Sequence, residues 1–238
     1  MTITAKLATF EEIRSWRDLY RAEMNCQIVH DNMHYREGWT QSWLLELSGA
    51  LAGYGSILVA GPWKETRTVF EFYVLPQFRN RVFDAFESLL TASDADAFEI
   101  QSSETILNAL IHARTREIET EKIVFEDRLT TSISIAAAVL RRRGEPDNDW
   151  ALEVEGNVVA WGGVLYHYNR PYGDIYMQVA DAYRRRGYGS YLVQELKRVC
   201  YQGGSIPGAR CDPNNIASRK TLQKAGFVPC ALILRGKI

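Results

Sequence analysis

Apolar and polar positions alternate along residues 43–59, WLLELSGALAGYGSILV, and again along residues 150–166, WALEVEGNVVAWGGVLY. Each stretch breaks in the middle at turn chemistry, Ser-Gly in the first and Glu-Gly-Asn in the second, so each predicts a β-hairpin. The two match position by position: Trp43 with Trp150, Leu45 with Leu152, Glu46 with Glu153, Gly49 with Gly156, Gly55 with Gly162 and Leu58 with Leu165. A strand running into an amphipathic helix follows each hairpin, as RTVFEFYVLPQFRNRVFDAFESLL at 67–90 and GDIYMQVADAYRRRGYGSYLVQEL at 173–196. A third strand and helix come next, in AFEIQSSETILNALIHA at 97–113 and GARCDPNNIASRKTLQKAGF at 208–227.

Sequence that reads as helix also opens each half, at 10–25 and at roughly 135–143, where LRRRG at 140–144 has the cations and terminal glycine of a helix C-terminus. The recurrence makes the chain two tandem copies of one α+β unit, expected at 1–128 and 129–238. GEPDND at 144–149 predicts a turn-rich loop inside the second copy. Leu192, Val193, Leu196, Val199 and Cys200 form a core-facing stripe on the long helix of that copy, and Trp43 and Trp150 read as matching structural residues.

Composition narrows the function classes. Of 238 residues, 46% are hydrophobic and 24% charged, ordinary for a globular protein. Lys and Arg total 28 against 29 for Asp and Glu, so no global field draws in nucleic acid or an anionic membrane, and any anion site must be local. The four cysteines lack a CxxC spacing or a nearby histidine pattern, which predicts reduced, buried thiols and no metal site. No apolar run reaches a membrane span and the first residues lack a signal-peptide core, so a cytoplasmic location is expected. Oligomeric state has no signature here.

A local anion site is visible in the second copy. Arg184, Arg185 and Arg186 precede Gly187, Tyr188, Gly189 and Ser190 at the junction of a strand and an amphipathic helix. The glycines let backbone approach a ligand closely, and the first helical turn leaves N–H groups unpaired beside a partial positive charge. Phosphate suits that arrangement, with the arginines adding contacts to its oxygens. Ser190 has no adjacent histidine to activate it as a nucleophile.

Arg184, Gly187 and Gly189 as RxxGxG, together with Asn215, Ser218, Gly226 and Phe227 in NNIASRKTLQKAGF, resemble the GCN5-related N-acetyltransferase (GNAT) family over roughly residues 130–238. The resemblance implies two tandem GNAT-like units, each a mixed, mostly antiparallel β-sheet flanked by helices. It implies acetyl-CoA as acyl donor, with no metal, and an amine acceptor expected to be a small molecule. Met177, Gln178 and Val179 would pair with the pantetheine arm, the N–H groups of residues 185–190 would hold the pyrophosphate, and Asn215 would contact the pantetheine or phosphate portion. Backbone N–H groups near Val179 would stabilise the developing oxyanion.

The tyrosine that many family members place seven residues beyond that Asn is Leu222 here, which leaves the general acid to Tyr176, to Tyr191 or to water. For the base, Asp174 lies one residue out of the family's register, and His167 has a suitable intrinsic pKa. In the first copy Val82 and Asp84 replace Gly187 and Gly189 and no NxxS pattern follows, so residues 1–128 read as a degenerate, structural or acceptor-side unit without a cofactor site. Glu71 and His112 read there as satisfied or solvated groups. A non-catalytic acyl-CoA-binding module is the alternative; a nucleic-acid-binding role lacks a basic patch interleaved with aromatics.

Overall fold

The computed structural model describes residues 3–144 and 149–238. Among these the chain forms two compact units, one of residues up to Glu121 together with Leu232–Ile238, the other of Lys122–Ala231. In the first, β1 (Ile3–Ala8) leads into α1 (Phe10–Met24). Thr9 starts that helix through a capping box: its Oγ1 accepts the Glu12 N–H, and Glu12 Oε2 accepts the Thr9 N–H at 2.7 Å. Then come β2 (Thr40–Leu47), β3 (Ala50–Leu58), β4 (Thr68–Val74), α2 (Val82–Ser93), β5 (Ala97–Gln101) and α3 (Thr105–Arg114). Trp43, Leu45, Phe72, Phe86 and Leu89 are among the residues that pack the core between sheet and helices.

From α3 the chain enters β6 (Ile118–Asp127), followed by β7 (Ala138–Arg142), β8 (Asp149–Val154), β9 (Asn157–Leu165), β10 (Tyr172–Val179), α4 (Tyr188–Gln202), β11 (Ile206–Cys211), α5 (Ile216–Lys224) and β12 (Phe227–Lys237). The strand order of the second unit is β6-β11-β10-β9-β8-β7. The anticipated stripe on α4, Leu192, Val193, Leu196 and Cys200, packs with Leu152, Val164 and Ile175 of the sheet. Gly226 ends α5 at φ +93, and a Cβ there would run into the Leu129 carbonyl, so only glycine fits this turn. Among the described residues no helix is long and apolar enough to cross a membrane.

The two hairpins are built alike. Trp43 faces Gly55 and Trp150 faces Gly162, a bulge falls between Leu45 and Glu46 and again between Leu152 and Glu153, and the turns Ser48-Gly49 and Glu155-Gly156 both have two positive φ angles. Paired left-handed residues of this kind match the twist of the flanking strands. Within each unit the sheet is antiparallel except for one parallel pair, β4 with β5 and β10 with β11.

Three expectations are corrected. Residues 135–143 are not a helix: Ala138–Arg142 is a strand paired to β8, with Ala138 and Leu140 turned to the core and Val139 and Arg141 exposed. Its period is two, and its arginines decorate the last strand of the unit's sheet, where charge discourages further pairing. Arg143-Gly144 is therefore not a helix cap, and residues 145–148 of the expected loop lie outside the described residues. Second, the units part at 121/122 and not at 128/129, and Leu232–Ile238 fall with the first unit, because Ile233–Lys237 pair antiparallel with β5 while Ile123–Glu126 of β6 pair with β11. Third, Cys26, Cys200 and Cys211 are buried free thiols as expected, but Cys230 is only half-buried.

Candidate functional site

The site grows out of a gap in the sheet of the second unit. β10 and β11 run parallel from Tyr172 opposite Ile206 to Ile175 opposite Ala209, and there their pairing stops, although β10 continues to Val179 and β11 to Cys211. On its other side β10 stays paired to β9 as far as Val179 opposite Ala160. The backbone groups of residues 176–179 that face β11 are thus released from the ladder.

A cleft of about 1230 Å³ opens on this gap, and Met177, Gln178, Val179, Arg184, Arg185, Gly187, Tyr188, Gly189, Ser190, Asn215 and Ser218 all line it. Gly187 caps α4 in the left-handed region, φ +86, with no side-chain cap, so the first-turn N–H groups of α4 are left for a ligand. Arg185 holds φ +63, a conformation that costs a non-glycine residue about 1–3 kcal/mol and marks strain at the turn. Gly189 sits where a Cβ would come within 3.1 Å of Thr221 Cγ2 and 3.2 Å of Val179 Cγ2, so a side chain there would need those methyl groups to give by a few tenths of an ångström. Ser190 Oγ donates to the Thr221 carbonyl at 3.2 Å and pins the same two helices.

Two anticipated contacts differ in detail. Arg186 does not line the cleft; its guanidinium stands over the Tyr183 ring, 5.7 Å from the centroid. Asn215 caps α5, its Oδ1 accepting the Ser218 N–H at 3.0 Å, which ties both residues into the helix start. Arg184 pairs with Asp181 at 2.6 Å and donates through Nε to the Val179 carbonyl. Missed by the sequence reading were Lys220, Thr221 and Lys224, which add two cations from α5 to the cleft wall. Lys220 and Lys224 stand four residues apart on the helix that Asn215 starts, a spacing that puts both on one face and could have signalled them.

The catalytic candidates separate. Ile175, Met177 and Val179 pack toward α4, so by strand alternation Asp174 and Tyr176 point to the opposite face. Asp174 is 5% exposed; its Oδ2 accepts from Arg210 Nη2 at 2.8 Å and Nε at 3.2 Å, while Oδ1 has no partner. Burial opposes the charge on Arg210, but Asp174 beside it more than offsets that, raising its pKa. Arg210 follows Ala209, the last residue of β11 paired to β10, and lies over the Tyr168 ring. Tyr176, the first residue beyond the paired stretch, donates its hydroxyl to Asp149. His167 is exposed in the turn after β9 and stacks on Tyr168. Five strand positions, roughly 16 Å, separate its level from Met177, so it is not brought to the cleft. Leu222 and Cys200 are core residues, and burial pushes the Cys200 thiol up to about 12.

The first unit has the same skeleton closed. β4 and β5 pair only from Thr68 to Val69, yet the recess beside them measures about 130 Å³. Arg79 donates to the Val74 carbonyl at 2.9 Å, as Arg184 does to Val179, but its Nη2 is held by Glu23 at 2.6 Å, which also accepts the Tyr73 hydroxyl. Arg81 pairs with Asp84 at the start of α2. Glu71 is fully buried and accepts from Arg17 Nε and Nη2, both at 3.1 Å, and from Tyr54 OH at 2.9 Å, while His34 Nε2 lies 2.9 Å away. Burial would raise its pKa, but Arg17 and then His34 outweigh that and hold the carboxyl far below the usual range. His112 is exposed.

Residues 110–227 match the family model described as the acetyltransferase (GNAT) family. Among solved structures, a GNAT-family acetyltransferase from Colwellia psychrerythraea aligns over all of both chains with a TM-score of 0.72 at 15% identity. A tandem GNAT protein from the clavulanic acid biosynthesis pathway aligns over 99% of this chain and 98% of its own, TM-score 0.57, 13% identity. A GCN5-related N-acetyltransferase from Sphaerobacter thermophilus does so over 99% and 95%, TM-score 0.57, 14% identity. At these identities the likeness is one of fold. No curated protein matches the chain.

Proposed function

Since the chain belongs to the GNAT acetyltransferase family through the domain in residues 110–227, we propose that its second unit transfers an acetyl group from acetyl-CoA to the amine of a small molecule. The carrying observation is one cleft that joins the released edge of β10, the uncapped start of α4 and the start of α5. The cleft fits the donor on the chain's own terms: a bare helix N-terminus and Arg184, Arg185, Lys220 and Lys224 suit a diphosphate, and Gly189 keeps the floor open. Bound there, acetyl-CoA would supply an activated acyl thioester.

The remaining work belongs to this chain. Residues 176–179 would hold the pantetheine arm through the backbone groups that β11 leaves free, and N–H groups on that edge would meet charge developing on a carbonyl oxygen. Because Asp174 and Tyr176 stand on the face opposite α4, the gap between β10 and β11 acts as a window, with donor on one face and amine on the other. Asp174, with Oδ2 fixed by Arg210 and Oδ1 unpartnered, would orient the acceptor ammonium and take its proton. Tyr176, linked to Asp149, would return a proton to the leaving thiolate. In the first unit the Arg79–Glu23 clamp, Val82 and Asp84 favour a structural role.

Acceptor-dependent thiol release from acetyl-CoA over a panel of small amines tests this reading; release with no amine above background would sink it. The burial of Leu222 where a tyrosine acid is common favours one second reading, a non-catalytic acyl-CoA-binding module. It predicts binding of acetyl-CoA without release under any amine.

A further inference from the structure

Helix α4 leaves part of the sheet beneath it uncovered. Beside its C-terminal half a cavity of about 760 Å³ is lined by Arg142 of β7, Trp150 of β8, Val164 of β9, Tyr166 just after β9, Arg170 in the turn before β10 and Val199 of α4 itself. Arg142 stands opposite Trp150 in the register of β7 and β8, on the face that carries Ala138 and Leu140 toward the core. Its guanidinium lies over the Trp150 ring, 5.4 Å from the centroid. Because α4 has 15 residues, about 22 Å separates this end of the helix from the Gly187 turn at its start. The cavity shares no described lining residue with the donor cleft.

Its polar groups are donors in want of an acceptor. Among the described lining residues the charged ones are Arg142 and Arg170, and none is acidic. Trp150 Nε1 is buried and has no acceptor. Cations near a helix C-terminus commonly answer its free carbonyls. Here the Val199, Cys200 and Tyr201 carbonyls already accept from the N–H groups of Gly203, Ser205 and Gly204, at 3.0, 3.0 and 2.9 Å. Two guanidiniums beside an indole N–H suit a planar anion, since each presents a rigid fork that matches a carboxylate. An ammonium would meet two like charges. Val164, Val199 and the Trp150 and Tyr166 rings add apolar walls that a bare inorganic anion would leave unused.

We infer that this cavity is a binding site for a small aromatic carboxylate, its ring against Val164, Val199 and Tyr166 and its carboxylate held by Arg170 and Arg142, with the Trp150 N–H as a further donor. The volume falls in the range of about 300–1,000 Å³ that encloses small organic ligands, so two fused rings fit. The site is independent of the acyltransfer reading, because it draws on the opposite end of α4 and on none of the groups that would hold the donor.

The test is calorimetry on the full chain with sodium naphthoate. Naphthamide serves as the neutral isostere, naphthylmethylammonium chloride as the cation and inorganic phosphate as the anion without a ring, all at equal ionic strength. The expected result is one saturable site for naphthoate, with each of the other three at least ~tenfold weaker, as loss of charge-assisted hydrogen bonds or of ring contacts implies. Arg170→Gln, at an exposed position where folding should be untouched, should lose about tenfold. Trp150→Phe, which keeps a ring and removes the N–H, should lose severalfold with near-normal thermal unfolding. Gly189→Asp, in the donor cleft, should bind naphthoate as the unaltered chain does. No saturable binding, equal binding of any of the three controls, full affinity in Arg170→Gln or Trp150→Phe, or lost affinity in Gly189→Asp would overturn the inference.

Discussion

Replacing Gly189 by aspartate copies into the second unit the residue that the first carries as Asp84, and its effects on folding and binding should run in opposite directions. At the second residue of α4 a carboxylate meets the positive end of the helix, an interaction worth about 0.3–1 kcal/mol in favour of the fold. Its Cβ would approach Thr221 Cγ2 at 3.1 Å and Val179 Cγ2 at 3.2 Å, the ends of side chains that need give only a few tenths of an ångström. Unfolding should therefore stay near that of the unaltered chain. A diphosphate held on the same turn would meet the new charge at roughly 5 Å, which costs about 0.8–3.3 kcal/mol per unit charge for an effective dielectric constant between 80 and 20. For two phosphate charges the loss is about 2–7 kcal/mol, at least ~20-fold in affinity. Calorimetric titration with acetyl-CoA beside thermal unfolding reads both quantities. Wild-type affinity in a normally folded variant would refute the placement of the diphosphate at α4.

Glu71→Gln should destabilise the first unit by about 3–5 kcal/mol in urea unfolding, because Arg17 is left buried with half its counter-charge. The depressed folded pKa makes that stabilisation present above the ordinary carboxylate range, about 4.3, and lost as pH falls toward the folded value, so the gap to the variant should close in acid; a constant gap down to pH 2 would contradict the assignment. Val82→Gly with Asp84→Gly should not create a second acetyl-CoA site, since the recess walled by the Glu23–Arg79 pair stays at about 130 Å³; a doubled stoichiometry would refute this. Asp174→Asn should lower kcat/KM by ~10²–10⁴, whereas His167→Ala should leave it within about twofold, and the reverse pattern would exchange their roles.

How much was legible in the sequence depended on the range of the interaction that decides each feature. The hairpins follow from period two and from turn residues that accept positive φ, so Trp43–Leu58 and Trp150–Leu165 were readable in detail. The left-handed Gly187 at the start of α4 was readable for the same reason, being one turn of backbone. Residues 135–143 misled because an alanine-rich run ending in arginines has helix propensity, and only the pairing of Ala138–Arg142 with β8 overrides it. Pairing partners across the chain leave no local trace: nothing in LILRGK announces that it completes the sheet of the first unit. The contact between Asp174 and Arg210, 36 residues apart, was invisible for that reason, as was the Arg79–Glu23 clamp.

The proposed function puts the acyl donor in one unit only, where a cleft of about 1230 Å³ opens, against a recess of about 130 Å³ on the matching skeleton of the other. Calorimetric titration of the full chain with acetyl-CoA measures this directly. The expected stoichiometry is near one, unchanged by Asp84→Gly in the first unit, with affinity lowered at least ~20-fold by Gly189→Asp in the second. Two equivalent sites per chain, or one site that survives Gly189→Asp with full affinity, would contradict it.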